Sequence, residues 1–216
     1  MKRSLVFPGL LIAIFFADCS SKKQPVFKNA FVDTLKGFKK DIPINKYGQY
    51  VSFYREDKEM QKLLGLDSLE DGFNALQIRV WYNLFGKERR MVEITNKDSV
   101  WSAAVYIFRG RTENGTTAIA SKEINQVTPA SGWAYFSKRL LDLKILTLPH
   151  SFDIDGYAMA SPFDGDIYSV ELATKNQYRF YDYGNPAMLD RSFWQAKNMV
   201  DILQLFKDEL NVKQGN

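Results

Sequence analysis

Ala75-Leu-Gln-Ile-Arg-Val-Trp-Tyr82 alternates, with Leu76, Ile78 and Val80 on one side and Gln77, Arg79 and Trp81 on the other. A period of two is the mark of a half-buried strand, so this stretch predicts a sheet with one face in the core and one wetted. Working outward, Met91–Thr95 and Trp101–Phe108 read as the next strands, joined by a turn at Asn96-Lys97-Asp98. Connections this short and polar favour hairpins over crossovers. Asn114-Gly115 marks a further turn, and Thr117–Val127 alternates weakly as a fourth strand. Ile167–Ala173 and Tyr178–Tyr183, linked by Thr174–Gln177, form another hairpin, closed by Pro186, which cannot continue a ladder.

Helical spacing flanks these strands. Phe27, Phe31, Leu35 and Phe38 recur at three and four, which predicts a helix within Gln24–Lys40. Asp41–Gly48 reads as a loop, Tyr50–Arg55 as extended, and Glu56–Leu64 as a short helix stopped by Gly65. Trp133, Phe136, Leu140 and Leu143 define a second helix, with Ser131 as its cap. His150–Pro162 lacks periodicity and reads as a long loop. Asp190 is the expected cap of a last helix, whose stripe is Phe193, Ala196, Val200, Leu203 and Leu210. The sum is an α+β domain: a mostly antiparallel sheet of about five to seven strands with helices packed on one face.

The N-terminus sets the address. Lys2 and Arg3 precede an apolar run from Leu5 to Ala17, shorter than the roughly 20 residues that span a bilayer but suited to a secretory signal. The run ends at Phe16-Ala17-Asp18-Cys19 and a polar stretch follows, Ser20–Pro25. This resembles a bacterial lipoprotein signal, in which the cysteine becomes the lipidated first residue. Phe16 and Asp18 depart from that pattern, so ordinary secretory cleavage near Cys19 is the competing reading. The organisation expected is a signal peptide over residues 1–18, a tether over 19–25 after a lipidated Cys19, and one globular domain over 26–216. Ser20, where the resemblance would put Asp in a protein kept at the inner membrane, points to the outer membrane, on a side the sequence leaves open.

Composition excludes several classes. Hydrophobic residues at 45% and aromatic ones at 14% are ample for a core. The net charge of +4 falls by one when Lys2, Arg3 and Asp18 leave with the signal, too little to suggest nucleic acid. With one cysteine and one histidine, neither a zinc site nor a disulfide is expected. No Gly-x-Ser-x-Gly elbow accompanies His150, a loop residue after Pro149, and no glycine-rich phosphate loop appears. No catalytic residue and no cofactor are therefore expected.

Two constellations remain. Asp153, Asp155, Asp164 and Asp166 surround one loop and could offer oxygen ligands to calcium, although Asp-Gly pairs also make ordinary turns. Trp81, Trp101, Tyr181 and Tyr183 could present rings to a glycan or a partner chain, although half-buried strands favour aromatics for packing alone.

Tyr178-Arg-Phe-Tyr-Asp-Tyr-Gly-Asn-Pro186, with the helix that follows and the run Ile78–Tyr82, resembles uncharacterised lipoproteins of the Bacteroidota. The resemblance implies location and architecture, not an activity. It also draws attention to Asp33-Thr34-Leu35, Asp67-Ser68-Leu69 and Asp98-Ser99-Val100, which resemble O-glycan acceptors of that phylum at Thr34, Ser68 and Ser99. The function expected is a membrane-anchored envelope protein that binds or supports a protein or glycan partner. The alternative is a glycan hydrolase working through an Asp/Glu pair.

Overall fold

A computed structural model describes residues 38–44, 48–83, 88–113, 116–161 and 165–213. All of them fall in one compact unit. Cys19, Thr34, Asp164, Asn114-Gly115 and the helix expected before Phe38 lie outside the described residues.

Seven strands form one sheet: β1 (Lys39–Asp41), β2 (Leu76–Asn83), β3 (Glu88–Lys97), β4 (Val100–Glu113), β5 (Thr116–Val127), β6 (Ile167–Thr174) and β7 (Gln177–Gly184). Their order is β1-β7-β6-β2-β3-β4-β5, and every pairing is antiparallel except β1 with β7. The helices are α1 (Ser52–Leu64), α2 (Trp133–Asp142), α3 (Tyr157–Ala160), α4 (Pro186–Leu189) and α5 (Trp194–Leu210). The class is α+β with a mostly antiparallel sheet, as the strand alternation predicts.

The stretch read first is central strand β2, flanked by β6 and β3. Val80 pairs with Val170 on one side and Val92 on the other, Ile78 with Leu172 and Ile94. These residues share one face with Tyr181 and Tyr183, and α2 and α5 cover it with Phe136, Leu140, Met199, Leu203 and Phe206. Along α5 the stripe Ala196, Met199, Leu203, Phe206 and Leu210 is buried, while Val200 sits at its margin. The β3–β4 hairpin turns at Asp98 and Ser99, both at left-handed φ (53° and 66°), one residue later than its sequence suggests. Such a two-residue turn matches the right-handed twist of the strands.

The other face departs from expectation. It is not wetted at the centre of the sheet, because α1 lies across it. Met60 and Leu64 pack on Trp81, Met91 and Phe108, and Tyr54 packs on Phe180 at 5.2 Å between ring centroids. Thus α2 and α5 share one face and α1 closes the other. The segment Tyr50–Arg55 is not extended, for α1 begins at Ser52. Val51, Phe53 and Tyr54 look strand-like in composition, but Tyr54, Asp57, Met60, Gln61 and Leu64 are buried at helical spacing. Gly65 ends the helix as anticipated, at φ 71°, with its N–H bonded to Lys62 O and that of Leu66 to Gln61 O.

Other local readings also change. Lys39–Asp41 is a parallel edge strand against β7 rather than a helix end and loop. Gly132, at φ 81°, is the N-cap of α2 in place of Ser131, whose N–H goes to Glu209 Oε2 at 2.8 Å. Phe193 rather than Asp190 precedes α5, since Pro186 starts the extra turn α4 and Asp190 closes it. The loop after Pro149 holds a 3-10 turn at Ser151–Asp153 and then α3. Replacing Phe206, wholly buried between Phe136 and the sheet, with Ala should cost about 3–5 kcal/mol in denaturant unfolding.

Candidate functional site

Beneath α1 the alternation of β2, β6 and β7 delivers polar side chains to the face that the helix then covers. Arg79, Glu171 and Ser169 are at most 2% exposed, and α1 adds Asp57 at 1%. Charged groups are rarely this buried unless paired, so each partner matters.

Glu171 is the hub. Its Oε1 accepts from Lys58 Nζ and from Tyr178 OH at 2.9 Å, and Oε2 faces Trp81 Nε1 at 3.4 Å. Lys58 also reaches Gln61 Oε1 at 2.8 Å and Glu70 Oε1 at 3.6 Å, and its ammonium lies over the Tyr178 ring at 4.9 Å. Three acceptors and an aromatic face satisfy that ammonium. Alongside, Arg79 Nε donates to Glu93 Oε2 at 2.8 Å and Arg79 NH1 to Asp67 O at 2.9 Å, while Gln61 Nε2 donates to that same carbonyl at 2.8 Å. These bonds tie the loop after α1 to the sheet. Burial, with Glu171 beside it, pushes the Tyr178 phenol far above its ordinary range.

Asp57 is the exception. Asn83 Nδ2 donates to its Oδ1 at 3.1 Å, but Oδ2 has no partner. Burial raises its carboxyl well above the ordinary carboxylate range, the nearby Glu171 adds to that, and Ser169 and Asn83 oppose it. The site therefore favours the neutral acid over the carboxylate.

At the free end of β7, Ser151 Oγ donates to Asp182 Oδ1 at 3.0 Å and His150 Nε2 faces the same oxygen at 3.4 Å. His150 Nδ1 accepts from Phe152 N–H at 3.1 Å, and the buried Nε2 makes no hydrogen bond. This is no nucleophile relay, because the hydroxyl bonds to the carboxylate and not to the imidazole. His150 does occupy a loop after Pro149, but it is buried as the cap of the 3-10 turn.

The residues singled out from sequence scatter. Trp81, Tyr181 and Tyr183 are at most 1% exposed, and Tyr181 and Tyr183 donate to Ile145 O and Pro149 O. None of the three can stack on a ligand. Trp101 is half-buried against Trp133, ring centroids 6.4 Å apart. Asp153, Asp155 and Asp166 are exposed, and among the described residues no three His, Cys, Asp or Glu side chains gather as a metal set. Ser68 and Ser99 are exposed, Ser68 in the loop after α1 and Ser99 at its hairpin tip. Among the described residues no helix is long and apolar enough to cross a membrane. Of the belt of Asp57, Lys58, Arg79, Glu93 and Glu171, the sequence places only Arg79 on a face, the one expected to be wetted. The belt's signal was the charge at Glu171 between Val170 and Leu172 in the middle of a strand.

Compared with models of known families, with curated proteins and with solved structures, the chain matches none.

A carboxyl raised by folding contributes stability that is complete below its unfolded pKa and is lost as pH rises toward its folded one. Asp57→Asn, neutral at every pH, should therefore be more stable than the parent at pH 7 in urea unfolding. The margin should vanish as pH approaches about 4, the unfolded carboxyl value.

Proposed function

We propose that the protein is an exported, lipid-anchored envelope protein of the kind seen in the Bacteroidota, binding or supporting a partner rather than turning over a substrate. The leader supports the address, through the basic start, the apolar run to Ala17 and Cys19 before a polar tether. On this reading Cys19 carries the lipid, the outer membrane holds it, and Ser68 and Ser99 are open to glycan attachment.

The non-enzymatic part rests on one observation: the polar belt is sealed. A glycan hydrolase needs two carboxyl groups flanking a bond in an open cleft. Asp57 and Glu171, the carboxylates that sense each other beneath α1, are each 1% exposed. Glu171 is occupied by Lys58, Tyr178 and Trp81. Their chemistry is that of a clamp.

The anchor is tested by labelling cells with a palmitate analogue and fractionating wild type and Cys19→Ala. Label in the membrane-bound wild type alone, with the variant released as soluble protein, is the expected result. An unlabelled, soluble wild type would overturn the anchor and leave a free exported binder.

A further inference from the structure

The sheet ends differently on its two sides. At one edge β1 is three residues long and covers only the start of β7. At the other, β5 runs twelve residues, and among the described residues no strand pairs with its outer side. From Ala120 to Gln126 it is exposed without a break, on both faces of the sheet. An edge strand directs the N–H and C=O of every second residue away from its neighbour, which makes it a template for one more strand.

Natural edges are commonly blocked by a lysine, a proline or a bulge. The register of β5 shifts opposite Arg109 and Gly110, leaving Ala120 without a partner on β4, but it is regular from Ser121 to Val127. That regular stretch has no proline. Its lysine does not guard it either, because Lys122 Nζ donates to Leu64 O at the end of α1, at 3.1 Å. At its centre stands Ile124, 45% exposed, opposite Tyr106, which pairs in turn with Met91. The row is buried at Met91 and Tyr106 and lies open at Ile124.

The order of residues selects the occupant. Side chains directly opposite across an antiparallel pair share a face, so two copies of β5 related by a twofold axis through the sheet meet with that axis on a residue. Centres before Lys122 run into the irregularity at Ala120. Centred on Lys122 the pairing opposes two ammoniums, and centred on Glu123 two carboxylates, both destabilising. Centred on Asn125 it is shorter and sets Glu123 opposite Val127. Centred on Ile124 it uses the whole regular stretch: Ile124 meets its own image, Glu123 meets Asn125, Lys122 meets Gln126 and Ser121 meets Val127. The two Glu123 side chains then lie diagonally, not opposite. Asn125 Nδ2 already donates to Glu123 Oε1 of its own strand at 2.9 Å, and an amide has a second N–H to give to the other copy's carboxylate. The open apolar row is closed by its own repeat.

We propose that β5 is a self-association edge, pairing antiparallel with β5 of a second copy about an axis at Ile124 and joining two seven-stranded sheets into one. Strand pairing this short falls below the roughly 800 Å² per partner of a stable complex, so association depends on concentration. This goes beyond the reading of the protein as an envelope binder and does not rest on the lipid anchor. The test uses the full chain in detergent carrying Cys19→Ala, which leaves any introduced cysteine as the sole thiol. Ile124→Cys sets two thiols directly across the axis, within reach of a disulfide. Copper phenanthroline should couple them at least tenfold more than it couples Gln126→Cys, whose side chains lie about 13 Å apart along the strands. In sedimentation velocity without oxidant, the Cys19→Ala chain should shift from monomer to dimer as its concentration rises. Adding Ile124→Lys should weaken that association at least tenfold, with circular dichroism unchanged. The pairing is ruled out if the two cysteine variants couple equally, if the Cys19→Ala chain stays monomeric up to about 1 mM, or if Ile124→Lys associates as well as its parent.

Discussion

The carboxylate of Glu171, buried at the middle of the sheet, is the constraint around which one side of the molecule is arranged. An unpaired charge at that depth would cost several kcal/mol. The fold answers with an ammonium from α1, a phenol from β7 and an indole from β2. Lys58 and Trp81 come from distant parts of the chain, and Tyr178 from the other strand of the same hairpin. Satisfying Glu171 therefore fixes where α1 lies, how β6 registers against β7, and which way Trp81 points. A buried pair of this kind need not add net stability over apolar residues of the same size. Its effect is positional, since α1 can sit in few other places without stranding a charge.

The opposite face follows simpler physics. There the sheet presents valine, isoleucine and tyrosine to α2 and α5, and the packed cluster is hydrophobic. The Tyr82 hydroxyl is sealed inside that layer without a hydrogen-bond partner. Tyr181 and Tyr183 keep their rings in the core and send their hydroxyls to backbone carbonyls of Ile145 and Pro149. The result is one apolar layer, and across the sheet a second layer whose geometry is specified by charge.

This division explains what the sequence could and could not disclose. Ile78, Val80 and their cross-strand partners announce themselves by period two, and the Ile167–Tyr183 hairpin and α5 were equally plain. Gln77, Arg79 and Glu171 follow the same alternation, so they look like a solvated face. Only tertiary packing of α1 distinguishes a buried arginine from an exposed one; the helix was legible from Glu56 to Gly65, and only its first turn was obscured, because Val51, Phe53 and Tyr54 resemble a strand. The loop position of His150 was legible from Pro149, but its burial as the cap of a 3-10 turn was not, since that depends on packing against β7.

The central claim is that the buried polar belt clamps α1 as part of the folded core and is not a cleft that opens to substrate. Amide hydrogen exchange at neutral pH tests it most directly. The account predicts that the inward-facing amides of α1, from Asp57 to Leu64, exchange as slowly as those of β2 and β6 and open only with the whole domain. Fast exchange of α1 against a protected sheet would contradict it, and would mean that the helix lifts to expose Asp57 and Glu171.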